Sequence, residues 1–301
     1  MGRSVTNSSS ASGLISATKT VPPGYMGEFG TGLWRVFQVG GTFVVPPGVS
    51  RIRVRVVGAG GGARNAGPGG GGGGYAHGIF SVSALASFAV TVGLGGIGNT
   101  LGTPTPGGSS SFGALISATG GSAPVGTAAA VGGIGSGGDF QASGGVSGAG
   151  GLSGGAGSGS QMGDGGNSTV NSGGAGVVGN ALSGGGASLF GNSTSGRGAP
   201  NAIGLVPGLD EEPLLNPRMA VMRFPFDGFI GGGGNSGTNG GGAGGTGAGG
   251  GGAYNGGPGG HGGGGAVGIQ GTGGLGGIGG GGGGGSVTGG TGGPGLVIVE
   301  W

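Results

Sequence analysis

GGIGGGGGGGSVTGGTGGPGLVIVEW, residues 276–301, joins a run of almost pure glycine to a short apolar stretch that ends on tryptophan. The two halves obey different rules. Leu296–Trp301 reads as a buried strand that follows a Pro294-Gly295 corner. The glycines before it have no side chains with which to fill a core, so that part of the chain is either disordered or folded through its backbone.

The same choice governs the whole sequence. Glycine accounts for 103 of 301 residues, and for 41 of the 65 from Gly231 to Gly295, where no residue is charged. Unfolded chains combine low hydrophobicity with high charge, whereas here 6% of residues are charged, 33% are hydrophobic and the mean hydropathy is positive. Order through the backbone is therefore expected. Each ordered glycine costs about 0.5–1 kcal/mol relative to alanine, which only a systematic set of bonds offsets.

Spacing supplies such a set. Thr272, Leu275 and Ile278 recur every third residue, as do Asn255, Pro258 and His261, and Val131 with Ile134. Three residues per turn is the period of a polyproline II helix, which makes no internal hydrogen bonds. Its N–H and C=O groups point sideways, and with glycine on two of three edges such helices can approach and bond one another. The third edge carries the Leu, Ile or Val, and Ile278 is expected to be one of the few side chains packed between helices. At about 0.5–1.5 kcal/mol net per hydrogen bond, many bonds balance the glycine cost. Collagen needs an unbroken Gly-X-Y register with abundant proline, which GGGGNSGTNGGGAGGTGAGGGGAYN (residues 231–255) does not keep.

The side-chain part of the fold is marked by alternation. In RIRVRVV, residues 51–57, Ile52, Val54 and Val56 alternate with three arginines, the pattern of a half-buried strand. Further strands are expected at Tyr75–Val82, Phe88–Val92, Ser111–Ala118 and Leu296–Trp301, the last pairing near 51–57. The expected fold is mainly β: a small β-sandwich with an inserted bundle of polyglycine II helices and essentially no α-helix. Its divisions are an N-terminal attachment arm at 1–40, a sandwich formed by 41–120 with 295–301, and the glycine-rich bundle at 121–294. The bundle is interrupted by an apolar and charged insert at 199–230.

Composition removes several function classes. Ten basic and eight acidic residues leave a net charge of +2, which is no basic field, so no nucleic acid partner is expected. Without cysteine there is no disulfide framework, thiolate metal site or cysteine nucleophile. No run of 18 apolar residues and no secretory h-region is apparent, so membrane insertion is not expected. Gly2 and Thr6 fit the myristoylation pattern, but so short a pattern is cheap in a Gly/Ser-rich chain.

Candidate chemical sites are sparse. GAGGGA at 58–63 matches a dinucleotide loop on paper, yet no helix follows and no acidic residue lies between Glu28 and Asp139 to bind a ribose. Asp139 and Asp164 stand in glycine contexts resembling calcium repeats, which need an aspartate in every nonapeptide. His77 and His261 are too few for a metal cluster or triad, and Asp210, Glu211 and Glu212 fit a solvated loop better than paired catalytic carboxylates. No enzyme, no metal and no cofactor are expected.

The 199–230 insert is the richest stretch. Arg218, Met222, Arg223, Phe224, Phe226 and Phe229 gather there, and aromatics with arginine on a protruding loop suit partner recognition. The alternative is that MRFPFDGFI plugs the end of the bundle or packs on the sandwich, since large apolar groups need burial. Arg197, Tyr254 and His261 lie in polar loops that are either contact loops or turns. Trp34, Arg35 and Phe37 in GLWRVFQV read as the docking part of the arm.

TFVVPPGVSRIRVRVVGAGGG (42–62), SSSFGALISATGG (109–121) and GGPGLVIVEW (292–301) resemble the glycine-rich domain at the distal end of bacteriophage tail fibres and tail-tip receptor-binding proteins. The likeness covers about Gly41–Trp301 and extends loosely to the T-even-type fibre-tip adhesins with stacked polyglycine helices. It implies a virion protein at the distal tail fibre or tail tip that binds a host bacterial surface receptor: a pilus, an outer-membrane protein or a glycan. It further implies that residues 1–40 attach to a phage fibre or baseplate protein, and that the assembly is a homotrimer. A purely structural virion tip is the nearest alternative. Mycobacterial Gly-Gly-Ala-rich surface proteins carry a helical leading domain that is not apparent here, and an ice-binding bundle needs a flat Thr/Ala/Ser face that Thr272, Leu275 and Ile278 do not supply.

Overall fold

The computed structural model describes residues 33–99, 102–161, 163–168, 255–259, 262–268 and 270–301, together with the backbone of four short outlying strands. Those four form two separate hairpins: β1 (Arg3–Thr6) with β2 (Thr18–Val21), and β12 (Gly186–Ser188) with β13 (Gly191–Ser193). No helix occurs among the described residues.

Ten strands build two five-stranded antiparallel sheets. One has the order β10 (Gly135–Gly137), β9 (Ile116–Ala118), β8 (Ser110–Phe112), β7 (Ser87–Thr91), β4 (Gly41–Val44). The other has the order β11 (Phe140–Ala142), β6 (Tyr75–Ser81), β5 (Arg51–Val57), β14 (Leu296–Glu300), β3 (Trp34–Phe37). The alternation read from the sequence is observed, with Ile52, Val54 and Val56 all at 0% exposure. They pack with Val297 and Val299 of the same sheet against Phe43, Val90, Phe112 and Ile116 of the other, so the fold is the expected β-sandwich. Phe43 anchors the aromatic part of the core, with ring centroids 5.8 Å from Phe112 and 5.3 Å from Trp301.

Strand β14 lies between β5 and β3, antiparallel to both. All five of its residues are buried, which explains why Leu296–Val299 reads as continuously apolar; Glu300, the last residue, is buried in ion pairs with Arg53 and Arg55. Two sequence expectations need correcting. Ser111–Ala118 is a hairpin of two strands, because Gly113 turns at φ 52°, a left-handed conformation that glycine adopts without a Cβ clash. Trp34–Phe37, grouped on sequence with the arm, is the edge strand beside β14.

Three strand pairs of the sandwich run on without a break in register into paired glycine runs. The β5–β6 pair Val57↔Tyr75 continues as bonds from the N–H groups of Gly58, Gly61 and Arg64 to the carbonyls of Gly74, Gly71 and Pro68. The β7–β8 pair Thr91↔Ser111 continues through Gly108 to Leu94 and Thr105 to Ile97. The β9–β10 pair Ala118↔Gly135 continues through Thr119 to Ile134 and Ser122 to Val131. Bonding thus changes from the two-residue period of a strand to a period of three where glycine begins. Runs 58–74 and 93–108, placed in the sandwich on sequence, therefore belong to the glycine lattice.

Run 58–64 shows how the lattice is organised. Its N–H groups donate in rotation to three neighbours: Gly58, Gly61 and Arg64 to run 68–74, Ala59 and Gly62 to 105–108, Gly60 and Ala63 to 288–295. Its carbonyls accept from three others: Gly60 and Ala63 from run 93–99, Ala59 from Gly121, Gly61 from Gly282. These six neighbours bond to one another in a closed ring, for example Gly71 to Ser122, Gly107 to Gly121, Gly292 to Gly96 and Gly70 to Gly282. Runs 68–74 and 280–285 are surrounded in the same six-fold manner, so these three central runs pair their backbone groups mostly through main chain, with Gly69 N–H donating to Ser153 Oγ at 3.0 Å.

Such close approach leaves no room for side chains. A Cβ at Gly61 would fall on the carbonyl of Ser122, at Gly71 on that of Val131, at Gly72 on that of Gly157 and at Gly281 on that of Gly70. The apolar residues at every third position consequently face outward rather than between runs: Leu275 is 55% exposed, Val131 61% and Ile134 58%. Ile278, expected between helices, is half-buried on an outer run.

Two outcomes test this fold. Gly72→Ala should cost about 1–3 kcal/mol in denaturant unfolding, the usual range for overpacking. Gly102→Ala, with nothing within 4 Å of the added methyl, should stay within about 0.5 kcal/mol. Deleting Val297–Trp301 removes a strand bonded on both edges and should abolish cooperative unfolding and slow amide exchange in β3 and β5.

Candidate functional site

The turns at 160–163 and 277–280 lie beside the sandwich, near Ala142 and Val57, while the other connections collect at the end of the lattice away from it. Among the described residues these are the turn at 64–67, the ends of the 99–105 connection, the turns at 125–130 and 148–153, and the 285–286 corner. The chain also leaves run 163–168 and enters run 255–259 at this end, since both lie parallel to runs that fix their direction: Gly165 and Ser168 donate to Ser143 and Val146, and Gly256 and Gly259 to Thr272 and Leu275.

The best-built part of this tip surrounds Asn65 and Asn99. Asn65 N–H donates to Asn99 Oδ1 at 2.9 Å, and Asn99 N–H donates to the Ala63 carbonyl at 3.2 Å. Ala66 N–H donates to the Gly285 carbonyl at 2.8 Å, while Ala66 itself sits at φ 50°, an uncommon conformation for a residue with a Cβ. Arg64 folds over Gly67, where an added Cβ would lie 2.9 Å from its Cδ. Arginine, asparagine amides and the half-exposed Val287 offer hydrogen-bond donors and acceptors beside apolar surface. That mixture suits non-covalent recognition of a polar ligand.

A second polar cluster occupies the outer face of the sheet that holds β14. Glu300 is paired with Arg53, whose Nε donates to Oε2 at 2.7 Å, and Arg55 stands 3.4 Å from Oε1. The register places His77 opposite Arg55 on one side and Phe140 on the other. The imidazole stacks on Phe140 with centroids 5.4 Å apart and meets the edge of Tyr75 at 5.9 Å. His77 Nδ1 is buried without a hydrogen-bond partner. Burial holds its pKa below the ordinary value of 6.5; Arg55 and Arg53 push the same way, and Asp139 opposes them.

The two aspartates set in glycine contexts act on the backbone. Asp139 Oδ2 accepts the N–H of Ile79 at 2.8 Å, and Asp164 Oδ1 accepts that of Ser143 at 2.7 Å. The second belongs to a device the sequence reading missed: outer runs borrow side-chain oxygens for N–H groups that have no run to meet. Asn167 Oδ1 takes the N–H of Val146, Thr119 Oγ1 that of Ile134, Ser122 Oγ that of Val131 and Asn255 Oδ1 that of Thr272. Polar residues three apart, Thr119 with Ser122 and Asp164 with Asn167, were the available signal.

Of the predicted site residues, Arg197, Arg218, Met222, Arg223, Phe224, Phe226, Phe229, Tyr254 and His261 lie outside the described residues. Trp34 and Arg35 are exposed on edge strand β3, with the Arg35 guanidinium 4.6 Å above the Phe37 ring. Phe37 is in the core at 5% exposure, which makes it a packing residue of the sandwich.

The neutral imidazole gives a pH test with a definite sign. A histidine whose folded pKa is lowered binds its proton more readily in the unfolded chain, so stability falls as pH drops through about 6.5 towards the folded value. His77→Phe should flatten this part of the stability curve between pH 7 and 5, as read by denaturant midpoints.

No protein-family model matches the chain, and no curated protein is similar to it.

Proposed function

We propose that this protein is a bacteriophage tail-fibre or tail-tip adhesin that recognises a receptor on the host bacterium non-covalently, through loops displayed on a glycine-rich scaffold. In this reading the hydrogen-bonded runs are polyglycine II helices, and the support is their bonding at every third residue to neighbours in six directions. The observation that carries the function is the display of turns: the hairpins that leave the sandwich turn at 64–67, 99–105 and 125–130, at the end of the lattice away from it, while the turns at 160–163 and 277–280 face the sandwich.

A hydrogen-bonded scaffold reduces the entropy lost when loops bind, because little backbone freedom remains to be surrendered. Several copies on one particle, with a trimer as the arrangement suggested by fibres, would multiply weak contacts through avidity. The sandwich end, with Trp34 and Arg35 on its exposed edge, is the end proposed to join the fibre or baseplate. The receptor-contact role proposed for Arg197, Arg218, Met222, Arg223, Phe224, Phe226, Phe229, Tyr254 and His261 rests on their residue types and on the resemblance.

The test is binding of the labelled protein to a panel of bacterial envelopes. The expected result is saturable binding to susceptible strains that falls at least about tenfold, or about 1.4 kcal/mol, when 199–230 or the 64–67 and 125–130 turns are exchanged. Leu275→Ser and Val131→Ser on the lattice flank should leave it unchanged. A structural tip protein would show no binding to any envelope, and that result would overturn the proposal.

A further inference from the structure

One strand edge of the sandwich lacks the protection that the others have. The sheets end on β10 and β4 in one layer and on β11 and β3 in the other. Strands β10 and β11 are three residues long. They are joined through the left-handed Gly137 and Gly138, at φ 78° and 74°, and the charged Asp139, while β3 carries Arg35. Short strands, kinks and charges are how natural sheets keep their edges from pairing with other chains. Strand β4 has neither charge nor kink: no charged residue lies between Arg35 and Arg51, and Pro46 and Pro47 come only after the strand.

Two bonds beside the strand fix where its polar groups point. Val45 N–H donates to the Ala86 carbonyl at 2.9 Å, and on the far side of β7 Gly113 N–H donates to the Ala89 carbonyl at 2.7 Å. Residues of an antiparallel strand alternate between bonding one neighbour and the other. Phe43 with Phe88 and Gly41 with Val90 are therefore the bonded pairs of β4 and β7. The N–H and C=O groups of Thr42 and Val44 point the other way, out of the edge, and bond no described residue. Both residues are exposed, Val44 at 51%. Their side chains share the outer face of the sheet with Ser87, Ala89 and Thr91, all exposed, small and uncharged.

We propose that β4 pairs with β4 of a second copy of this chain, antiparallel about a twofold axis at Phe43. The axis sets Thr42 of each copy opposite Val44 of the other, so the outward N–H groups of one copy meet the outward carbonyls of the other. The edge matches itself in charge as well: the cross-strand neighbours are threonine and valine, both β-branched, and no like charges are opposed. Pro46, without an N–H at the next outward position, ends the ladder. A strand of an unrelated partner is selected through side chains read along the edge, and no charge lies along β4 to be read. Strand β7 leads directly into run 93–99, and β4 is antiparallel to it. The twofold axis consequently sends the two lattices in opposite directions, with the far turns of each copy at the ends of the pair. Pairing through β4 does not depend on the adhesin reading.

A concentration series on the full chain tests this. One added strand buries less than the roughly 1,000 Å² of a stable interface, so a dissociation constant of about 0.1–1 mM is expected. Sedimentation should show monomer giving way to an elongated dimer across that range. By NMR, amide exchange at Thr42 and Val44 should slow about tenfold over the same range, while Phe43 and Val45, bonded to β7, exchange slowly throughout. Thr42→Pro removes an N–H that β7 does not use, at a place where an edge strand accepts proline, and should weaken pairing at least about tenfold. Thr42→Lys should weaken it too, and adding Val44→Glu should restore it at low salt, because each lysine then faces a glutamate of the other copy. A chain that stays monomeric at about 1 mM would overturn the proposal. So would slow exchange at Thr42 and Val44 that is independent of concentration, the mark of a segment of the same chain on the edge, or a dimer that persists in Thr42→Pro with Phe43 still slow. If a variant does not fold, the series on the unaltered chain decides.

Discussion

The structure depends on one interaction repeated throughout the lattice, the sideways hydrogen bond between backbones that return to the same neighbour at every third residue. Successive N–H groups donate to three different neighbours and successive carbonyls accept from three others, so a run bonded on all sides has three donor and three acceptor directions. Run 58–64 uses all six. Side chains are expelled by the same geometry. Glycine lines the contacts, while Leu275, Val131 and Ile134 are turned to the surface, the reverse of an ordinary core.

The sandwich solves the problem that such a lattice leaves open. Backbone bonds between nearly identical glycine runs specify register poorly, because a slip by three residues presents the same groups. For three pairs of runs the register is inherited: the strands are aligned by side chains, Ile52 and Val54 on β5 against Phe43 and Phe112 across the core, and the glycine runs continue that alignment. The paired side-chain oxygens of Thr119 with Ser122 and of Asp164 with Asn167 add registration further out. β14 closes the arrangement, since the final lattice run leads directly into the strand between β5 and β3.

This division of labour bears on the proposed adhesin role. Receptor contact needs loops that can vary in sequence without unfolding their support. A scaffold held by main-chain bonds is indifferent to what its turns carry, because few of its stabilising bonds involve turn side chains. The strained Ala66 and the Asn65–Asn99 contact sit at that end. The arginine, glutamate and histidine cluster lies on the sandwich.

The sequence by itself determined the two regimes of packing. Alternation in RIRVRVV and the doubly buried LVIVE are side-chain patterns of period two, and the glycine runs with residues every third position announce a period of three. Both are local properties, legible because each residue's environment follows from its near neighbours. What only the tertiary structure decided is which runs meet. Gly60 bonds Gly293 and Gly61 bonds Gly71 although nothing distinguishes one glycine from another, and the same uniformity hid that runs 58–74 and 93–108 belong to the lattice. Hydrogen bonds between identical groups carry no address. For the three pairs of runs that leave the sandwich the address comes from its core, whose distinct side chains align the strands leading into them.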